Sequence, residues 1–231
     1  LAMRILSTES RLSSEKLRSG RVNDPDMQNL MTTAGMIAEE KGYIIVDDSS
    51  NITISELRSK CRKIKKEQGL DAVFIDYLQL MHAGNVTSDS SFAKFINNRQ
   101  EEVAEISRSL KGLAKELNIP IIALAQTRRP SDTSEKKDKR PQLEDLKESG
   151  AIEQDADIVM FLHRPHKDDP EVGNIEEMQL IIAKHRNGST GTISFRFDKS
   201  ITRFDEFDKN EDRNVRPPET SKKEEATEEA E

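Results

Sequence analysis

The chain has 231 residues, of which 34% are hydrophobic and 34% charged, so one domain with a sizeable core is expected and part of the chain must be solvated. No apolar run approaches the ~18 residues of a membrane span and no basic-then-apolar leader opens the chain, which excludes a membrane-spanning protein and a secretory precursor. The net charge of −7 is concentrated in residues 205–231, with 11 acidic and 5 basic residues, and the remaining −1 neither favours nor excludes a phosphate-bearing partner.

Capping residues and helical periodicity predict four helices and one strand in the first 69 residues. Leu1, Ile5 and Leu6 recur near helical spacing, and this pattern opens without a capping residue. Thr53 and Glu56 form a capping box that starts another helix. The other predicted elements are a short helix from Ser13 to Gly20, a helix over 24–41 with Asp24 as its N-cap and Pro25 in its first turn, a strand over 43–46, and the end of the capping-box helix at Gly69.

A strand, a helix and a second strand follow. The continuous apolar run 72–75 is typical of a strand that is buried on both faces. After a polar loop over 82–91, apolar residues that step by three and four predict a helix with one buried face, namely Val103, Ile106, Leu110, Leu113 and Leu117. Pro120 ends this helix, and residues 121–125 form the next strand. The short connections predict parallel strands joined by a right-handed crossover.

The rest of the chain is predicted to contain a polar loop, a short helix, three strands and a tail. The loop covers 128–141 and the helix surrounds 143–153, while the strands cover 158–162, 178–183 and 192–197. Residues 205–231 are predicted to be a disordered acidic tail, because they cannot bury enough apolar surface to offset their ordering entropy. The predicted fold over 1–204 is α/β, a mostly parallel sheet that ends in an antiparallel hairpin.

Polar side chains follow three of the predicted strands. Asp76 ends the first of these strands, in the position where P-loop enzymes hold the magnesium of a bound nucleotide. Gln126 follows the next strand, where an amide can orient a water or contact a phosphate. Lys184 and Arg186 are two residues apart on a strand, so both point to one side and suit a phosphate group. Each feature has a plainer interpretation: a loop cap, an amide bound to loop backbone, and a solvated strand end.

Two further features point to chemistry only weakly. His163, His166, Asp168 and Asp169 could be a metal cluster, but their segment contains two prolines and is typical of a loop rather than a closed set of ligands. Cys61 lies in the middle of a predicted helix and is interpreted as structural. As the single cysteine it excludes an internal disulfide and a thiolate metal cluster, and it predicts a reducing cytoplasm as the compartment.

A phosphate-binding loop of the form G-x-x-x-x-G-K-[ST] should accompany such a sheet, and the 231 residues do not contain one. No glycine in the chain is followed by lysine. Together with the uncapped start, this predicts that the chain is the latter part of a nucleotide-binding domain, without its first strand and phosphate-binding loop.

Several blocks of sequence carry a resemblance to a known family. They are LAMRILS at 1–7, FIDYLQLM at 74–81, NRQ at 98–100 continuing to ISRSLK at 106–111, IIALAQ at 121–126, DLKESGAIEQDAD at 145–157 and AKHRNG at 183–188. In this order they resemble the bacterial replicative DNA helicases of the DnaB type, and the similarity runs from residue 1 to about 204.

The resemblance implies a RecA-like motor that forms a homo-hexameric ring around single-stranded DNA. Such a ring uses ATP and Mg²⁺ to translocate and to unwind duplex DNA at the replication fork, and it meets primase and a helicase loader. Each ATP would lie between two subunits. By similarity, Asp76 is the Walker B carboxylate that acts through magnesium, and Gln126 couples the γ-phosphate to the DNA-binding loops. Lys184 and Arg186 would reach the ATP of the neighbouring subunit and stabilise charge in the transition state.

The resemblance also implies a DNA-binding segment. Lys147, Glu148 and Gly150 match the central-channel loop that grips the DNA backbone in this family. A glycine permits close approach, and backbone N–H groups with one lysine bind phosphates without reading bases. Without the family, a helix-to-loop turn ended by the glycine is the plainer interpretation.

Parts of the family pattern have no counterpart in the 231 residues, namely the phosphate-binding loop, the glutamate thought to activate water, and the amino-terminal collar domain. We therefore expect the chain alone to have no ATPase activity. An alternative function is a non-catalytic chain that keeps a RecA-like surface to bind DNA or other subunits. A recombinase-like ATPase is a third candidate, and the block 145–157 argues against it.

Overall fold

The computed structural model describes residues 1–39, 42, 44–83, 92–127, 140–165 and 173–206. The chain forms two compact units. The first unit comprises Leu1–Gly42, Leu162–Leu180 and Thr192–Glu231, and the second comprises Tyr43–Phe161 and Ile181–Gly191. All seven residues predicted to meet nucleotide or DNA belong to the second unit: Asp76, Gln126, Lys147, Glu148, Gly150, Lys184 and Arg186.

Four α-helices precede the first strand. They are α1 (Ala2–Ser10), α2 (Ser14–Ser19), α3 (Asp24–Glu39) and α4 (Ile54–Glu67). The predicted capping box is confirmed, because Thr53 accepts a hydrogen bond from the Glu56 N–H while the Glu56 carboxylate accepts one from the Thr53 N–H. Gly20 ends α2 with φ of 68°, a left-handed conformation that glycine adopts without strain.

The N-cap of α3 is Asn23 and not Asp24. The Asn23 side-chain oxygen accepts a hydrogen bond from the Asp26 N–H at 2.9 Å, and the Asp26 carboxylate accepts one from the Asn23 N–H at 3.4 Å. Asp24 is itself the first helical residue, where its charge favours the helix dipole. Asn and Asp are both good caps, so the sequence alone did not separate these two neighbours.

The predicted strand–helix–strand unit is present in the second unit. Strand β1 (Val73–Ile75) pairs in parallel with β2 (Ile121–Ala123), and α5 (Phe92–Leu117) connects them. The five apolar residues predicted to line one face of α5 are all buried, with exposures of 0–5%. Helix α4 packs on the same core, where the Cys61 thiol lies beside Leu113 and Leu117. Burial raises the pKa of this thiol, which keeps it protonated and fits its predicted structural role.

The later part of the chain forms a four-stranded sheet. A 3₁₀ helix (Leu143–Ser149) runs directly into α6 (Gly150–Asp155), and the strands follow in the spatial order β3 (Ile158–His163), β4 (Ile175–His185), β5 (Gly191–Asp198) and β6 (Arg203–Glu206). Strands β5 and β6 are antiparallel, and Phe204 of β6 packs against Phe197 with ring centroids 4.6 Å apart. Strand β6 was not predicted, and it runs two residues beyond the boundary placed at 204.

Two predictions about strands are wrong. Residues 44–46 form no strand, and Ile44, Ile45 and Val46 are 51–75% exposed. Strand β1 is not buried on both faces, because Phe74 is 76% exposed. An apolar run states how much surface a segment would bury, but burial itself requires a neighbouring element. Among the described residues nothing covers these side chains.

Several predicted features fall wholly or partly outside the described residues. They are the polar loops over 82–91 and 128–141, the residues His166, Asp168 and Asp169, and the tail. Within the described residues, no group of three His, Cys, Asp or Glu side chains is placed to hold a metal ion. No helix among them is long and apolar enough to cross a membrane.

Candidate functional site

The carboxyl ends of β1 and β2 form one edge of the parallel pair. Asp76 directly follows β1 and its side chain is exposed, while Gln126 lies three residues beyond β2 and is exposed as well. Backbone hydrogen bonds continue past the strands, since the Leu124 N–H donates to Ile75 at 2.9 Å and the Leu78 N–H donates to Leu124 at 2.8 Å. Asp76 and Gln126 therefore share the edge at which open α/β sheets bind their ligands, as predicted.

A third residue at this edge, Gln79, was not predicted. Its side-chain oxygen accepts a hydrogen bond from the backbone N–H of Gln126 at 3.4 Å. Gln79 belongs to a 3₁₀ turn (Leu78–Leu80) whose first residue, Leu78, is 2% exposed and anchors the turn in the core. The side chain of Gln79 thus joins the segment after Asp76 to the segment that carries Gln126.

An ion pair on α5 holds the chain that follows Asp76. The Arg99 guanidinium donates to the backbone oxygens of Gln79 at 2.6 Å and Met81 at 3.4 Å, and it pairs with Glu102. Glu102 accepts a hydrogen bond from the Ala83 N–H at 3.1 Å and lies 3.2 Å from His82 Nδ1. Burial alone raises the pKa of Glu102, but the hydrogen bonds from Ala83 and Arg99 outweigh it and lower the pKa.

Lys184 and Arg186 point in the same direction, as their spacing predicts, but they have partners in their own chain. The Lys184 ammonium donates to the backbone oxygen of Glu153, and to that of Gln154 at 3.4 Å. The Arg186 guanidinium donates to the Gln154 oxygen at 3.3 Å. Both cations therefore bind the carbonyls at the C-terminal end of α6.

An anionic partner is also present, which corrects the expectation that the chain offers none at this strand end. Arg186 Nη1 lies 3.4 Å from Asp157 Oδ1, and the Arg186 N–H donates to the Asp157 carbonyl at 2.8 Å. Lys111 of α5 pairs with the same carboxylate. The hydrogen bond from Lys111 is the main cause that lowers the pKa of Asp157, and the charge of Arg186 adds to it. No spacing rule brings Lys111 and Asp157 together, so these two residues were missed.

The segment that matches a DNA-binding loop is helical. Its start is fixed by Gln142 and Asp145, since the Gln142 N–H donates to the Asp145 carboxylate at 2.7 Å and the Asp145 N–H donates to the Gln142 carbonyl at 2.9 Å. Leu146, at 7% exposure, packs with Val159 and Phe161. Gly150 is exposed and has right-handed helical φ of −51°, so it continues the helix instead of ending it.

Open space surrounds Gly150. A Cβ placed there would meet no heavy atom of the described residues within 4 Å. Neither packing within the described chain nor backbone conformation therefore requires glycine at this position, which agrees with a requirement set by something that approaches from outside. The side chains of Lys147 and Glu148 lie outside the described residues.

Comparison with known proteins identifies the family. The sequence model of the DnaB-like helicase C-terminal domain matches residues 1–206. This chain belongs to the DnaB-like helicase C-terminal domain family.

Relatives and solved structures agree with that assignment. The chain is 43% identical over 204 residues to the replicative DNA helicase DnaC of Bacillus subtilis (strain 168) and 46% identical over 207 residues to the replicative DNA helicase DnaB of Leifsonia xyli subsp. xyli (strain CTCB07). Each match covers 88% of this chain and 42% of the relative, so the chain spans less than half of these helicases.

Two solved structures share the fold. One is a structure of an isolated ATPase domain, which matches 89% of this chain with a TM-score of 0.74 and 35% identity, over 69% of that structure. The other is a DnaB-like replicative helicase described with its interactions with primase, which matches 89% with a TM-score of 0.74 and 34% identity, over 47% of that structure. The described units therefore have the α/β, RecA-like fold of DnaB-type ATPase domains, as the sequence predicted.

The donor set at the sheet edge suits magnesium bound to a nucleotide. Mg²⁺ is commonly held by one or two carboxylates, several waters and the phosphates of the substrate, so a single exposed carboxylate such as Asp76 is compatible with it. The described residues contain no group of three acidic or imidazole side chains that would hold a metal ion without a nucleotide.

Proposed function

We propose that this chain is the part of a replicative DNA helicase that carries the magnesium carboxylate, the γ-phosphate contact and the cations that act across a subunit boundary. The whole protein works as a homo-hexameric ring in the cytoplasm, hydrolyses ATP with Mg²⁺, moves along single-stranded DNA and unwinds the duplex. By family, its partners include primase and a helicase loader. The observation that supports this most is the placement of Asp76 and Gln126 on one edge of a parallel pair in a DnaB-like chain.

In this proposal each residue has one task. Asp76 holds Mg²⁺ on the β- and γ-phosphates, and Gln126 contacts the γ-phosphate from the neighbouring strand. Lys184 and Arg186 project from the end of β4 toward the ATP of the adjacent subunit, where their charge stabilises the transition state. When bound, Mg²⁺ supplies electrostatic stabilisation of the transferred phosphoryl group.

The proposed contact with DNA uses phosphates. Lys147 and the backbone around Gly150 bind the strand through charge and N–H groups, and Glu148 lies in the same segment. The stretch 145–153 contains no aromatic ring to stack on bases and no Asn or Gln to read them. Binding is therefore expected to be independent of sequence and sensitive to salt.

A chimeric helicase tests the proposed function. Residues 1–206 of this chain replace the corresponding part of the Bacillus subtilis relative, which supplies the rest of a helicase. We expect DNA-stimulated phosphate release from the chimera and its loss in the chimera with Asp76→Asn. A chimera that forms rings and binds ATP but shows no DNA-stimulated hydrolysis contradicts the proposal.

A second candidate function is a non-catalytic chain that binds DNA or other subunits through the RecA-like surface. The observation that favours it is the absence of any Gly-Lys step, and hence of a phosphate-binding loop, in the 231 residues. The two candidates make different predictions for the chimera, because a surface that only binds does not depend on Asp76.

A further inference from the structure

The C-terminal end of α6 is held by cations from another strand. Backbone oxygens at a helix C-terminus lack partners within the helix and carry partial negative charge. Here the Glu153 and Gln154 oxygens accept hydrogen bonds from Lys184, and Gln154 accepts a further one from Arg186. The two side chains thus act as a C-terminal cap for a helix of only 6 residues, which is too short to be stable by itself.

The other end of α6 is the segment proposed to contact DNA. Gly150 is the first residue of α6, and the 3₁₀ helix before it contains Lys147 and Glu148. No loop separates the two helices, so a change at residues 153–155 passes along one continuous helical segment. Ile152 of α6 also packs against the core that contains Leu78 of the turn after Asp76.

The cap is adjustable. Asp157 holds Arg186 in place, and its side chain is 55% exposed while that of Arg186 is 52% exposed, so this pair is accessible to other anions. Asp155 Oδ2, at the last position of α6, is buried without a hydrogen-bond partner among the described residues. An unpaired buried carboxylate oxygen costs free energy, which indicates that this end of α6 is not at its most stable arrangement.

We propose that Lys184 and Arg186 have a second role inside their own subunit: they cap α6, Asp157 and Lys111 position them for it, and a phosphate that captures them loosens the segment 143–155. Phosphate engagement and the conformation of this segment are then linked, and by reciprocity a ligand that displaces α6 releases the cations for a phosphate. The consequence for DNA binding rests on the proposed function, whereas the cap itself does not.

Hydrogen exchange of the whole 231-residue chain tests the cap. The amides of Gln154, Asp155 and Ala156 report on the end of α6, where the Ala156 N–H donates to Ile152 at 2.9 Å. We expect exchange there to be roughly five- to tenfold faster in Lys184→Ala and in Arg186→Ala, and near wild type in Lys184→Arg, which still donates to carbonyls.

Lys60→Ala is the matched control, because Lys60 is a lysine of the same unit whose ammonium pairs with Asp47 at 2.6 Å. Exchange in the buried part of α5, around Leu110 and Leu113, separates local loosening from unfolding of the unit. Unchanged exchange at 154–156 in the double variant Lys184→Ala/Arg186→Ala overturns the cap, whatever the ATPase result.

Pyrophosphate tests the exchange of partners. We expect sodium pyrophosphate to accelerate exchange at 154–156 in the wild type relative to sodium chloride of equal ionic strength, and to have no effect in the double variant. Phosphorus NMR line broadening that disappears in the double variant identifies the cations as the binding site. Failure of pyrophosphate to alter exchange overturns the link to phosphate. If exchange responds but the chimera lacks ATPase activity, the cap stands and only the proposed function fails.

Discussion

At the scale of single residues, the side chains expected to meet ATP are already positioned by their own chain. Arg186 rests on Asp157, Lys184 on the end of α6, and the Gln126 N–H on Gln79. The sequence predicted which residues end the strands, because strand ends follow from apolar runs and turn residues. It did not predict the partners, because they depend on contacts between residues far apart in the chain, such as Lys111 with Asp157.

The Arg99–Glu102 pair leads to a prediction about pH. The pKa of Glu102 is lowered in the folded chain, so its contribution to stability is complete above the ordinary value of 4.5 and is lost as the pH falls through the lower folded value. We expect the wild type to lose about 1 kcal/mol more stability than Glu102→Gln between about pH 7 and pH 3. Urea unfolding of both chains at each pH measures this, with Glu101→Gln, an exposed neighbour on α5, as control. Parallel losses in wild type and Glu102→Gln contradict the assignment.

At the scale of elements, helix α5 was the most predictable part of the chain. Its apolar residues step by three and four, and all five are buried. Strand β6 and the irregular course of 44–46 were not predictable in the same way, because short segments have little periodicity and their pairing depends on neighbours. The 143–155 segment lies between these cases, since its helical nature was predicted but not its caps.

Truncation of a core residue on α5 gives the expected stability effect. Leu113 is 0% exposed and packs with Cys61 and Leu117, so Leu113→Ala should destabilise the second unit by about 2–5 kcal/mol. Leu80, which is 49% exposed, provides the matched control, and Leu80→Ala should cost far less. Urea midpoints measure both changes. Equal costs for the two leucines would show that the described core is wrong.

Gly150 separates a structural from a functional requirement. Since Gly150 is exposed and helical with free space at its Cβ position, Gly150→Ala should stabilise α6 by up to ~1 kcal/mol. In the chimera it should weaken binding of single-stranded DNA, because the added methyl keeps the phosphate away from the backbone. Exchange at α6 and DNA titrations measure the two effects. Unchanged DNA affinity would remove Gly150 from the contact surface.

Lys147 tests the nature of the same contact. In the chimera, Lys147→Ala should weaken single-strand binding about equally for different sequences and reduce the magnitude of the salt slope by about one unit divided over the subunits engaged. ATP binding without DNA should be nearly unchanged. A shift in preference between bases, or an unaltered salt dependence, is inconsistent with a phosphate contact.

At the scale of the whole molecule, the described chain contains the carboxylate, the amide and the cations of a DnaB-like motor, but no phosphate-binding loop in its 231 residues. We therefore expect no ATPase activity from the chain alone, with or without single-stranded DNA, because Asp76 by itself cannot hold magnesium and ATP. Phosphate release by the purified chain measures this. Turnover that survives purification and disappears in Asp76→Asn would contradict it.

The most direct test of the proposed motor mixes two inactive chimeras. Asp76→Asn removes the carboxylate of the subunit that holds ATP, and Arg186→Ala removes the cation contributed by its neighbour. In mixed rings some interfaces combine Asp76 from one subunit with Arg186 from the other, so DNA-stimulated phosphate release should return on mixing although each variant alone is inactive. Absence of any recovery, in rings shown by affinity tags to contain both variants, would contradict the action of Arg186 across the subunit boundary.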